Sequence, residues 1–264
     1  MRVGLSALFV FLMLNGVAWG QELAGPAARL RKAVTDARAS GRLLQVAGEQ
    51  HLLSDQTAMC LRLKVDDGQV LLEVETVDLG PGAEDLAWRS VLCLDGVGTV
   101  TSLSTSMLGA WNASVSARWL EGDRLRWEEA GPAKRTGEFR CADVFLPEEA
   151  KWLWALLGDG QDLVCCPLSL SPFGSDPQGA YYLDPRLSCF GETTASNQIR
   201  PDGQRVATGF DQSLEVDPAG RIMTIRRGGA LMWPLPEQPE EVFRAVTPER
   251  YMEALEAARL RRRK

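Results

Sequence analysis

The chain reads as a mostly β protein of the α+β class: an antiparallel meander of repeated Asp/Gly-turn hairpins with a few covering helices. Three observations predict this. Apolar residues alternate with polar ones over many short runs, as in Val70, Leu72, Val74 and Thr76. Acidic-Gly turns punctuate those runs, first at Asp66-Asp67-Gly68. Helical spacing is confined to residues 26–40, 146–158 and the end of the chain from 247. Alternation buries one face of a strand, and Asp and Gly tolerate the positive φ that tight hairpins demand.

In chain order, residues 26–40 predict a helix: Pro26 suits its first turn, Leu30, Ala33, Val34 and Ala37 recur on one face, and Gly41 can end it. Residues 43–46 and 58–65 are expected as the first strands, the second turning through Asp66-Asp67-Gly68 into 69–77. A loop follows over 78–85. The hairpin pattern returns at 92–103, 118–127, 198–206 and 214–225, at irregular spacing, which excludes a solenoid or propeller. Residues 146–158 predict a helix with Pro147, Glu148 and Glu149 in its first turn. Trp152, Leu153, Leu156 and Leu157 give it an apolar face that must pack on the sheet. The Ser/Pro/Gly-rich stretch 169–177 is a long loop or a domain divide. A short strand is expected at 180–183, and Thr247 is the expected N-cap of a last helix.

The first residues read as an export signal. Met1-Arg2 precedes an apolar core that Asn15-Gly16 breaks, and the small residues Ala18 and Gly20 place cleavage before Gln21. The apolar run is shorter than the roughly 20 residues a membrane span needs, and the mature chain is expected to have no transmembrane segment. The expected product is one β-rich domain over 21–264, divided at 169–177 if that stretch is a linker, and it is periplasmic or extracellular. With 29 Lys+Arg against 35 Asp+Glu, the chain has a formal charge of −6, which argues against a nucleic-acid partner. Basic residues gather only at Arg259, Arg261, Arg262, Arg263 and Lys264: the solvated end of a helix, or a weak contact with an anionic surface.

Six cysteines, Cys60, Cys93, Cys141, Cys165, Cys166 and Cys189, suit disulfides in an exported chain. The neighbours Cys165 and Cys166 need separate partners, or one stays free, and Cys189 is the nearest in sequence; buried reduced thiols are the alternative. No C-x-x-C occurs and His51 is the single histidine, so the usual zinc spacings are absent and no metal or cofactor is expected. The sequence has no G-x-S-x-G, P-loop or G-x-G-x-x-G, so it points to no catalytic residue. The acid pairs Glu128-Glu129, Glu148-Glu149 and Glu121 with Asp123 would serve glycoside hydrolysis only if two of them faced each other across a cleft.

Tryptophan is the unusual feature. Trp119 and Trp127 fall on paired strands, and Trp152 and Trp154 on the 146–158 helix; these four are the candidate ligand-binding residues. Buried, they are core; exposed, they are a platform for sugar rings or an apolar ligand. The expected role is therefore that of a non-enzymatic structural or interaction protein. The alternatives are a carrier of an apolar, lipid-like ligand on a curved sheet, which requires a cavity between the sheet and the Trp152 helix, and a carbohydrate-binding module.

Overall fold

The computed structural model describes residues 25–234 apart from 55–56, 67, 79–86, 109–112, 122, 131–133, 171–180, 185–186, 190, 210–211 and 228–229. The expected leader, most of the 78–85 loop and of the 169–177 stretch, and the last helix with its basic end lie outside the described residues.

The described chain is mostly strand. Strands β1 (Gly48–Leu53), β2 (Thr57–Asp66), β3 (Gln69–Asp78), β4 (Ala87–Leu94), β5 (Val100–Leu108), β6 (Ala113–Leu120), β7 (Arg124–Ala130) and β8 (Thr136–Arg140) form a meander, each antiparallel to the next. A second meander comprises β13 (Thr193–Ile199), β14 (Arg205–Gly209), β15 (Gln212–Val216), β16 (Ile222–Arg227) and β17 (Ala230–Pro234). β17 pairs with β1, which joins the two. Between them in sequence lie β9 (Phe145–Pro147), β10 (Leu163–Leu170), β11 (Tyr181–Asp184) and β12 (Leu187–Cys189). β10 connects this group to β13, lies antiparallel to β12 and parallel to β9, and β12 pairs with β11. The hydrogen-bonded network of seventeen strands curls back on itself: β11 returns beside β8, and β10 packs across β5 and β6.

Three helices belong to this curl. In α1 (Pro26–Ala39), Leu30, Ala33, Val34 and Ala37 are buried at the i, i+3, i+4, i+7 spacing that puts side chains on one helical face. Its outer residues reach the hairpin turns: Arg38 Nη2 donates to the Gly68 carbonyl at 3.1 Å, and Thr35 Oγ1 to that of Val97 at 3.2 Å. The second helix, α2 (Arg42–Val46), occupies a stretch whose sequence predicts a strand. Leu43 and Val46, three residues apart, both face the core, whereas Leu44 is 69% exposed; that is helical rather than alternating burial.

The third helix, α3 (Ala150–Leu157), is shorter than the sequence predicts, because Leu146 and Pro147 are taken by β9 and pair with Pro167 and Leu168 of β10. Every residue of α3 is buried. A helix apolar on nearly every side belongs inside a protein, and α3, whose one charged residue is Lys151, accordingly packs against α1, α2 and β13–β15. Burial raises a specific difficulty at its end, where the last carbonyls have no intrahelical donor. Long polar side chains from other elements supply them. Asn197 Nδ2 donates to the Ala155 carbonyl at 3.4 Å and, beside the Gly158 N–H, to that of Trp154 at 2.5 Å; Arg42 Nη2 donates to that of Leu156 at 3.0 Å, and Arg205 Nη1 to that of Gly158. Two of these donors are cations at the negative end of the helix dipole. Burial lowers both guanidinium pKa values, that of Arg205 to about 10, with the Arg42 charge contributing.

The core follows from the inward face of each strand. Leu61, Leu63, Val70, Leu72, Leu92, Leu94 and Leu103 form one buried cluster with α3, Leu163, Cys165, Leu214 and Ile225. On the outer face Glu73 is clasped between Arg62 at 3.0 Å and Arg89 at 2.7 Å. Burial pushes its carboxyl up, but the Arg89 and Arg62 contacts outweigh that and hold it below its ordinary value.

Candidate functional site

The inward side chains change character along the strands. On β3 they run Val70, Leu72, Val74, Thr76, and on the paired β4 Leu94, Leu92, Ser90, Trp88, with Val74 opposite Ser90 and Thr76 opposite Trp88. β5 adds Leu103 and then Thr105, whose Oγ1 lies 3.3 Å from Ser90 Oγ. Across the interior, β15 runs from Val216 through Leu214 to Gln212, which is paired with Arg227. One end of the curl is thus filled with aliphatic side chains, whereas the other presents hydroxyls, an amide and charges.

At that polar end lies a cavity of about 470 Å³. Among the described residues its apolar walls are Met59, Val74, Trp88, Trp152 and Leu170. The remaining ten of its fifteen lining residues are polar, including Ser169 and Ser188 from β10 and β12 and the charged group Glu148, Glu149, Lys151 and Arg227. Trp88 and Arg227 are exposed and mark the side open to solvent.

The entry to α3 supplies the charges. Lys151 Nζ lies 2.7 Å from Glu148 Oε1 and 5.6 Å from the Trp152 ring centroid, so the ammonium is held by a carboxylate and an aromatic face. Burial acts to raise Glu148, but the Lys151 charge and hydrogen bond prevail and its pKa is lowered. Glu149 goes the other way: burial first, and the Glu148 charge beside it second, push its carboxyl up to about 7. Three lining groups are shut off from solvent without a hydrogen-bond partner: Glu149 Oε2, Gln212 Oε1 and Ser188 Oγ.

The four candidate tryptophans are divided by the fold. Trp152 lines the cavity. Trp154 is 2% exposed in the core. Trp119 and Trp127 share the inward face of β6 and β7, Trp127 buried over Gly137 and Trp119 packed half-buried against the core. The residues the sequence reading missed are Ser90, Thr105, Ser188 and Gln212; their signal was the replacement of aliphatic residues by polar ones on an otherwise apolar inward face.

The cysteines correct the disulfide expectation: all six are free thiols. Cys60 on β2 faces Glu75 and Cys93 on β4 faces Leu71, so β3 lies between them. Cys165 points into the core, and burial raises its thiol to about 12. Cys166 senses the charge of Cys189, but Cys189 stands opposite Leu168, two residues further along β10. A diagonal pair is set roughly 7–8 Å apart, beyond ordinary disulfide reach.

A second cluster lies on the outer face. Glu49, His51 and Cys60 bring one ligand atom each within 4.8 Å of one another. Glu49 is ion-paired with Arg62 at 2.6 Å and lies 2.8 Å from His51 Nε2. Burial, and then the Glu49 charge, push the Cys60 thiol up to about 12, far from the thiolate that nucleophilic chemistry requires.

No family model and no curated protein matches the sequence. Among solved structures the chain is similar to a beta-barrel-like protein of a domain of unknown function, DUF1849, from Brucella abortus. The sequence identity is 13%, 71% of this chain and 93% of that chain are covered, and the TM-score is 0.42. Among the described residues, no helix is long and apolar enough to cross a membrane.

Proposed function

We propose that this is an exported, non-enzymatic binding protein that encloses a small amphipathic ligand at the polar end of its curled sheet. The observation that carries the reading is the cavity of about 470 Å³ between the sheet and the Trp152 helix, where a carrier requires space. Its volume falls in the roughly 300–1,000 Å³ range of small-molecule sites. A structural protein has no need of such a space, and a sugar platform needs coplanar exposed rings, whereas Trp127 and Trp154 are core. The polar lining departs from an interior built for a bare acyl chain. Buried polar groups without partners are costly, so the ligand carries a polar head for them and an apolar part for Trp88, Trp152 and Leu170.

Glu148 and Glu149, with pKa values pushed apart in one cavity, have a feature of acid–base pairs. They are adjacent in sequence at the start of α3, however, and Glu148 is committed to Lys151; glycoside hydrolysis needs carboxyl groups on both sides of the bond. Native mass spectrometry of the protein purified from its own source tests the binding reading. The expected result is a non-covalent small-molecule adduct that is lost in Trp152→Ala. A bare mass, together with tryptophan emission unmoved by a small-molecule extract of the same source, refutes it.

A further inference from the structure

Polar atoms buried without partners are rare in folded proteins, and three in one cavity call for an explanation. Glu149 Oε2 and Gln212 Oε1 are acceptors, and the Ser188 hydroxyl can accept. Ser188 is 3% exposed and Gln212 6%, so neither is satisfied by bulk water. The missing complement is a set of donors.

The charges narrow it further. The charged groups lining the cavity among the described residues are Glu148, Glu149, Lys151 and Arg227. Lys151 is spent on Glu148, and Arg227 is exposed at the rim. Among the described residues, the ionised Glu149 therefore meets only the Lys151 charge, which Glu148 already holds and which is outweighed by burial and the Glu148 charge. An anionic head would meet two carboxylates, and a neutral hydroxyl would leave that charge uncompensated. A primary ammonium brings one positive charge and three N–H donors.

We propose that the cavity takes a ligand bearing a protonated amino group, seated against Glu149 with Gln212 and Ser188 as further acceptors and its apolar part against Trp88 and Trp152. The inference rests on the cavity being the binding site. Ammonium binding requires Glu149 ionised, so affinity rises with pH through about 7, where its carboxyl titrates.

Isothermal titration calorimetry of the purified protein with hexylammonium, hexanol and hexanoate tests it. Above the Glu149 titration, hexylammonium is expected to bind at least roughly tenfold more tightly than hexanol, as a hydrogen bond to a charged group implies, and hexanoate most weakly. Glu149→Gln is expected to abolish the ammonium preference and its pH dependence. Should that variant fail to fold, Gln212→Leu, which removes one acceptor, is expected to weaken hexylammonium and leave hexanol unchanged. Equal binding of all three compounds, or preference for hexanoate, overturns the ammonium inference and leaves the cavity reading standing. No binding by any of them overturns the cavity reading itself.

Discussion

Replacing Gly220 tests the turn between β15 and β16 and the packing beneath it. Gly220 has φ +89° and donates its N–H to the Asp217 carbonyl at 3.0 Å, while its own carbonyl accepts from Gln50 Nε2 at 3.0 Å. A Cβ there would lie 2.3 Å from Val46 Cγ1 and 3.0 Å from Val46 Cβ. Val46, at the end of α2, is 4% exposed and cannot move outward. The left-handed backbone costs an L-residue roughly 1–2 kcal/mol. Forcing extra atoms into a packed contact adds roughly 1–3 kcal/mol. Gly220→Ala should therefore lose about 2–5 kcal/mol, and at roughly 2–4 °C per kcal/mol for a chain of this size its Tm should fall by about 4–20 °C. Gly41 separates the two contributions, since it has φ +76° with nothing within 4 Å of a built Cβ. Gly41→Ala should show the backbone cost alone, about 1–2 kcal/mol. The assay is thermal unfolding of the two variants beside wild type by circular dichroism. Equal Tm losses would refute the Val46 contact, and an unchanged Tm in Gly220→Ala would refute the turn geometry.

Other consequences are open to measurement. Asn197 is fully buried and donates to the end of α3, so Asn197→Leu should cost roughly 1–3 kcal/mol in urea unfolding by removing the side-chain donor to the Trp154 and Ala155 carbonyls; a loss below the scatter of surface mutants would remove it from that role. Glu149 has its pKa raised in the fold from 4.5 to about 7, so the folded state holds the proton more tightly. Its contribution to stability is fully present below pH 4.5 and is lost as the pH rises through about 7. The urea midpoint of wild type should therefore drop more over that range than that of Glu149→Gln, and parallel profiles would contradict the assignment. Denatured protein purified without reductant should titrate six thiols; in the native state Cys60 and Cys165, buried with thiols raised to about 12, should be slow to alkylate. Intact mass lowered by two hydrogens per bridge would restore the disulfide expectation.

The fold class was legible because strand alternation is a local property. Val70, Leu72 and Val74 declare an inward face without reference to anything distant, and that face is where they lie in the core. Boundaries failed where a distant partner decided them. Leu146 and Pro147 continue a helical pattern in sequence, but β10 claims them for a parallel pair some twenty residues away in the chain. The stretch from Arg42 to Val46 is too short for its period to be distinctive, and its helical state is set by Leu43 and Val46 both needing the core. The cysteines misled for a related reason: an even count implies pairing, but only registers such as Leu168 opposite Cys189 decide which sulfurs can meet.

The cavity was half legible, and the missing half is physical. Space beside Trp152 was an expectation of one functional reading, because an apolar helix face must lie against the sheet. The polar lining could not be read from any single strand, since Ser90, Thr105, Ser188 and Gln212 come from β4, β5, β12 and β15, and one inward serine in isolation is unremarkable. Ser90 acquires meaning by standing opposite Thr105, and Gln212 by standing opposite Arg227 on the far wall. The same holds for Glu148 and Glu149, which in sequence are two acids suited to a helix start. The fold places the first against Lys151 and shuts one oxygen of the second away from solvent, so that two chemically identical neighbours titrate in opposite directions. That divergence requires an interior wall at Glu149, and a surface helix start would leave both carboxyls near their ordinary values. If Glu149→Gln leaves the pH profile of stability unchanged, that wall is absent.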